Sequence, residues 1–232
     1  MTLTDLILDI FAPLECLNCH IEGAVLCNYC IHEIPTKQPL CFECKGLIID
    51  SKNCIPGCEL RSINRLFHAS EYNGIVRQLV VSMKSHNLKS AARSGAILIA
   101  KSLDFDRDTI ITPLPTATAR IRQRGYDQAD LLSRELAKLT KQPKIKFLLK
   151  NNQSRQVGSS KLERQANALH AYRVINKKIL IGAKVLLVDD VMTTGASLAA
   201  AAALLLENGA TNVDVAVLAL ATKRDWSSKD IQ

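Results

Sequence analysis

The segment 185-VLLVDDVMTTGASL-198 constrains this chain more than any other. A short apolar run reads as a buried strand. Two acids follow, then a loop of small residues around one glycine, then an Ala-rich helical run at 196–208 closed by Gly209. A strand apolar on both faces belongs to a parallel sheet covered on both sides. Such sheets bind ligands beyond the carboxyl ends of their strands. Asp189 and Asp190 stand there as adjacent carboxylates, suited to accept hydrogen bonds from the 2′- and 3′-hydroxyls of a ribose. Thr193, Thr194, Gly195, Ala196 and Ser197 offer hydroxyls and backbone N–H groups at a helix start, whose partial positive charge favours phosphate. Gly195 allows the backbone to come close. An ordinary strand–turn–helix with capping residues accounts for TTGAS alone. It does not account for the acidic pair at a fixed offset before it.

The residues around this segment also alternate between strand and helix patterns. Strands are expected at 65–72, 109–114, 145–149, 184–188 and 213–221, and helices at 74–86, 90–103, 127–140 and 196–208. Residues 151–165 are polar and turn-rich and read as a long loop. The alternation predicts an α/β fold with a doubly wound parallel sheet over residues 61–232.

All eight cysteines lie outside that unit, between residues 16 and 58. They form the pairs Cys16/Cys19, Cys27/Cys30 and Cys41/Cys44, each with two residues between, and Cys54/Cys58 with three. Pairs spaced in this way let two thiolates converge on one ion, and eight ligands suit two tetrahedral Zn²⁺ sites. Full ligation would make both sites structural. Disulfides and iron–sulfur chemistry are the alternatives, and the spacing admits both a sequential grouping (16/19/27/30 with 41/44/54/58) and a crossed one. The chain therefore divides into residues 1–60, a short N-terminal helix with a double zinc-ribbon domain, and residues 61–232.

Charge follows the same division. Residues 1–60 carry a formal −5 and residues 61–232 a formal +13. Eight thiolates with two Zn²⁺ would take the first unit to −9, a poor surface for gripping phosphates and a better one for docking protein. The basic remainder suits a polyanion, either nucleic acid or a polyphosphate sugar. Residues 1–12 hold no Lys or Arg and place Leu3, Leu6, Ile7, Ile10 and Phe11 at helical spacing. They read as an amphipathic helix and not a signal peptide, and no apolar run is long enough to span a bilayer. A cytoplasmic protein without membrane insertion is the expectation.

The strand, acidic pair and TTGAS loop resemble the phosphoribosyl pyrophosphate (PRPP) motif of type I phosphoribosyltransferases. The resemblance implies that Asp189 and Asp190 bind ribose hydroxyls and that residues 193–197 hold the 5-phosphate. It also implies Mg²⁺ on the pyrophosphate. Where relatives that use 6-oxopurines carry an Asp, this chain has Thr193, which argues against hypoxanthine or guanine as acceptor.

The wider order of motifs resembles the ComF/GntX family. A multi-cysteine finger comes first, then Lys84, 113-PLP-115, Arg120, Arg122 and 124-RGYDQA-129. Arg155, Gln156, Gly158, Leu162, Arg164 and Asn167 follow. That family couples a zinc finger to a phosphoribosyltransferase domain and is associated with competence and DNA uptake. The resemblance implies handling of incoming single-stranded DNA during natural transformation. Lys84, Arg124 and Arg164 are the candidate catalytic residues, because cations must meet the departing pyrophosphate. Residues 151–167 are the candidate lid.

Arg120, Arg122, Lys144, Lys146, Arg155 and Lys161 are candidates for a DNA backbone. Tyr126 and Tyr172 are candidates for stacking bases. His68, His86 and His170 read as bystanders. A transferase of unknown acceptor, a non-catalytic PRPP-sensing DNA-binding module, and a scaffold docking a DNA-processing partner through its finger all remain open from sequence.

Overall fold

The computed structural model describes residues 14–48, 54, 63–83, 88–104, 108–151 and 171–221. The expected N-terminal helix over residues 1–12, the expected lid beyond Asn151, Cys58, Lys84, His86, Arg155, Lys161, Arg164 and His170 lie outside the described residues. In chain order the elements are α1 (Asn28–Glu33), β1 (Leu40–Cys41), β2 (Ile63–Glu71), α2 (Gly74–Ser82), α3 (Leu88–Ser102), β3 (Thr109–Pro113), α4 (Thr118–Arg124), α5 (Gln128–Thr140), β4 (Leu148–Lys150), β5 (Tyr172–Val174), α6 (Lys177–Leu180), β6 (Lys184–Met192), α7 (Ala196–Glu207) and β7 (Asn212–Leu220).

Strands β2, β7, β6 and β3 are mutually parallel and adjacent in that order, and β1 adds antiparallel to the outer edge of β2. Successive residues of a strand point to opposite faces, so each central strand feeds two cores. Leu186 and Val188 of β6 join Ala216 and Leu218 of β7 in a core with α2, α3 and α5. Val185, Leu187, Val213, Val215 and Val217 join the opposite core, with α7 and the paired strands β4 and β5. This is why these strands read as continuous apolar runs. Gly95 lets α3 lie close in: a Cβ there would sit 3.1 Å from Leu218 Cδ2 and 3.2 Å from Leu132 Cδ1.

The cysteine-rich segment is docked on this body at two places. β1 pairs Leu40 with Leu66 and Cys41 with Arg65. On the α3 side, Val25, Leu26, Cys30 and Ile31 are buried in the helix-covered core. There the Lys101 ammonium donates to the carbonyls of Ile31 at 2.9 Å and Ile34 at 2.7 Å. A cation is thereby placed at the carbonyl end of α1, where the helix end is electronegative.

Two expectations change. β6 was expected to end at Val188, before the acids, but it runs to Met192 because β7 continues beside it and pairs through Leu220. On the other side β3 stops at Pro113, opposite Val188. The acids are thus inside a strand on one side and at an open edge on the other. The expected strand near 145–149 is β4, which pairs with β5 as a separate two-stranded sheet and does not extend the main one. No helix among the described residues is long and apolar enough to cross a membrane.

Candidate functional site

Asp189 and Asp190 begin the site. The Asp190 amide donates to Asp189 Oδ1 at 2.9 Å, and the Val191 amide donates to Asp190 Oδ1 at 2.8 Å. Each carboxylate is therefore held against its own strand. Burial pushes the Asp189 carboxyl well above the usual carboxylate range; the charges of Asp190 and Asp127 push the same way, against the Asp190 amide. Some of its surface still reaches solvent through an open cavity of about 80 Å³, lined by Asp189, Val191 and residues 192–198.

Past Met192 the chain turns on Gly195, whose φ of +77° precedes the first turn of α7. Thr194, Ala196 and Ser197 are exposed, and Gly195 is buried under them. A Cβ at Gly195 would meet Met192 Sδ at 3.3 Å and Phe42 Cζ at 3.4 Å, so a side chain there would crowd the inner side of the loop. The result is the start of a twelve-residue helix lining the cavity beside the Asp189 carboxyl, with Asp190 next to it in the strand. That arrangement fits a sugar phosphate: phosphate on the helix start, vicinal hydroxyls on the acids.

A second segment converges on the same edge. Asp127 caps α5 by accepting from the Asp130 amide, and it also accepts from the Thr116 amide at 3.2 Å and hydroxyl at 3.0 Å. One carboxylate thus fastens the loop after β3 to the 124–129 turn. The Tyr126 hydroxyl donates to the Met83 carbonyl at 2.7 Å, bringing the residue before Lys84 to that turn. Tyr172 is 5% exposed, which removes its ring from base stacking. Burial raises its phenol, the Asp189 charge adds to the shift, and the Ser197 hydroxyl opposes it.

The cysteines form two clusters in sequential grouping. The Sγ atoms of Cys16, Cys19, Cys27 and Cys30 lie within 4.8 Å of one another, and so do those of Cys41, Cys44 and Cys54. Burial works against the Cys16 thiolate, but backbone groups of Cys19, Cys27 and Asn18 outweigh it and bring the thiol down to about 6. Cys30 is pushed up to about 12: the Asn18 amide favours its thiolate, but desolvation and the other three thiols prevail. Four thiolates crowded in this way need a cation to coexist. The donor set fits zinc.

The basic candidates scatter. Arg120, Arg122 and Arg124 all lie on α4, with Arg122 exposed. Lys144 and Lys146 both reach Asp130 Oδ1, at 2.6 and 3.0 Å, and Arg134 reaches Oδ2 at 3.1 Å. Burial opposes ionisation of Asp130, but the two lysines overcome it and hold its carboxyl below the usual range. Phe42 is the site residue that sequence reading missed. It is the aromatic inside the third cysteine pair, and nothing in the sequence places it under Gly195.

Residues 94–231 match the phosphoribosyl transferase domain, more than half of the chain. The chain is also 35% identical to competence protein F of Haemophilus influenzae, over 91% of this chain and 99% of that protein. The chain belongs to the ComF family. The chain is also similar to DNA utilization protein YhgH of Salmonella typhi, 27% identical over 88% of this chain and 95% of that protein. Competence protein ComFC of Bacillus subtilis is 33% identical over 45% of this chain and 41% of its own. ComF membership makes the parallel sheet a type I phosphoribosyltransferase fold, carrying a cysteine cluster compatible with a zinc ribbon.

Proposed function

We propose that the chain binds PRPP with Mg²⁺ at residues 189–197 and acts in the cytoplasmic handling of incoming single-stranded DNA. One observation supports the PRPP reading: the acidic pair lies past the end of β3, and its first member, Asp189, lines one cavity with the exposed start of α7. Asp189 and Asp190 would take the ribose hydroxyls, and Thr193 to Ser197 the 5-phosphate. Mg²⁺, bound chiefly by the ligand's own oxygens and water, would neutralise the pyrophosphate. Lys84, Arg124 and Arg164 are the cations proposed to meet that pyrophosphate. Two structural Zn²⁺ ions would occupy the cysteine clusters, with Cys58 completing the second.

The DNA part rests on relatives named for competence and DNA utilization, and on the basic charge of the body. Arg120, Arg122, Arg155 and Lys161 are proposed to follow the backbone. Lys144 and Lys146, with Arg134, share one acid and leave two net positive charges there. Counterion release would make such binding steeply salt-dependent.

The deciding experiment is calorimetric titration of Mg²⁺–PRPP into the native protein and an Asp189→Ala/Asp190→Ala double variant. Binding by the native protein and none by the folded variant is expected. No binding by either refutes the reading. Adding single-stranded DNA and measuring pyrophosphate release then separates a transferase from a PRPP-responsive binding module.

A further inference from the structure

The second cysteine cluster and the phosphate loop are far apart in sequence and meet at Phe42. Phe42 sits in the turn between Cys41 and Cys44, two of the clustered thiols. Its side chain is 4% exposed and shares a core with Met192 and Leu198, one on each side of the loop. The ring edge lies 3.4 Å from where a Cβ on Gly195 would stand. It therefore backs the residue whose left-handed φ starts α7.

The turn that presents the ring is held from its other side. The Cys41 amide donates to the Gly46 carbonyl at 2.8 Å, and the Lys45 amide to the Cys41 carbonyl at 2.9 Å. The Gly46 amide points at Cys44 Sγ, 3.3 Å away. The Lys45 ammonium donates to the Phe42 carbonyl and lies 4.1 Å from the ring centroid. Cys54 Sγ is 3.3 Å from Cys44 Sγ. An ion shared by these thiols would lock the turn, and with it the ring.

We propose that Phe42 is a positioning residue for the phosphate loop, and that the cation of the Cys41/Cys44/Cys54 cluster is thermodynamically linked through it to PRPP binding. The proposal rests on the reading that residues 189–197 bind PRPP and that the thiols hold zinc. A loop held in its binding shape avoids an ordering cost when the ligand arrives. Linkage makes the effect reciprocal: whatever factor the ion adds to PRPP affinity, PRPP adds to ion affinity. The first cluster is the internal comparison. Cys16 and Cys30 are buried in the opposite core, with α3 and not with α7.

The test uses zinc-loaded protein and two readouts. In calorimetry, Phe42→Leu is expected to weaken Mg²⁺–PRPP binding about tenfold. Ile99→Val, a small deletion in the opposite core, should bind like the native protein. In the native protein, equilibrium competition with a chromogenic chelator should show one of two ions held about tenfold more tightly under saturating Mg²⁺–PRPP. The other ion should be held with unchanged affinity. The Asp189→Ala/Asp190→Ala protein with the same PRPP is the blank for zinc bound by the ligand itself. If Phe42→Leu binds like the native protein, or both ions are held with affinities indifferent to PRPP, the linkage is overturned while the PRPP site stands. If the native protein binds no PRPP, the underlying reading falls and takes this proposal with it.

Discussion

The Tyr126 hydroxyl donates to the Met83 carbonyl at 2.7 Å, across 43 residues of sequence. This bond joins the residue before Lys84 to the turn after Arg124. With Asp127 holding Thr116, it gathers three segments at one edge of the sheet. Tyr126→Phe keeps the ring and removes the bond. A loss of about 1 kcal/mol in stability is expected, seen as a fall of roughly 2–4 °C in melting temperature. A larger proportional loss in PRPP affinity should accompany it if the gathered segments meet the pyrophosphate. Thermal melts and calorimetry on one preparation check both.

Gly195→Ala should damage the phosphate loop from two causes. The residue has φ +77°, which costs an L-residue about 1–2 kcal/mol. The new methyl would also press on Met192 and Phe42 at 3.3 and 3.4 Å. The expected result is a protein that still folds, with lower melting temperature and PRPP affinity reduced by more than about tenfold. Native-like affinity in this variant would mean the loop does not need its observed shape.

Asp189→Asn should stabilise the protein while weakening the ligand site. Burial raises the Asp189 carboxyl in the folded chain above its unfolded value. The folded state thus keeps a proton that the unfolded chain has released. Stability falls as pH rises from about 4 toward the folded value and stays lower above it. Asparagine removes that penalty. Denaturation at neutral pH should show the variant more stable than the native protein, with the acid-to-neutral decline reduced. A less stable variant at neutral pH would contradict this account.

His68 should make the protein sensitive to mild acid. Burial is the main cause that lowers its imidazole to about 4, with the Lys37 charge adding to it. Its Nδ1 has no hydrogen-bond partner among the described residues. The unfolded chain binds a proton near pH 6.5 and the folded chain does not, so stability present above that pH is lost as pH falls toward 4. The full loss amounts to about 3 kcal/mol. Urea unfolding between pH 5 and 7.5 should show this slope in the native protein, and His68→Leu should flatten it.

Much of the site was legible because it is local. Asp189, Asp190 and the TTGAS loop are consecutive, and strand, turn and helix follow from the character of neighbouring residues. The cysteine pairs were legible for the same reason, since two thiolates three residues apart already lie within reach of one ion. Less legible was the extent of β6, because its last four residues are held by β7 and not by their own pattern.

By itself the sequence determined the segments: which stretches bury both faces, which cysteines pair locally, and where a helix start meets two acids. Backbone geometry over a few residues decides these, and it is written in residue order. The tertiary structure alone decided which segments touch. It set Phe42 beneath Gly195, Tyr126 on Met83, and Lys144 and Lys146 on Asp130. Those contacts follow from the order β1-β2-β7-β6-β3 and the burial of two cores at once. That is a property of all the strands packed together, and no single stretch of the chain carries it.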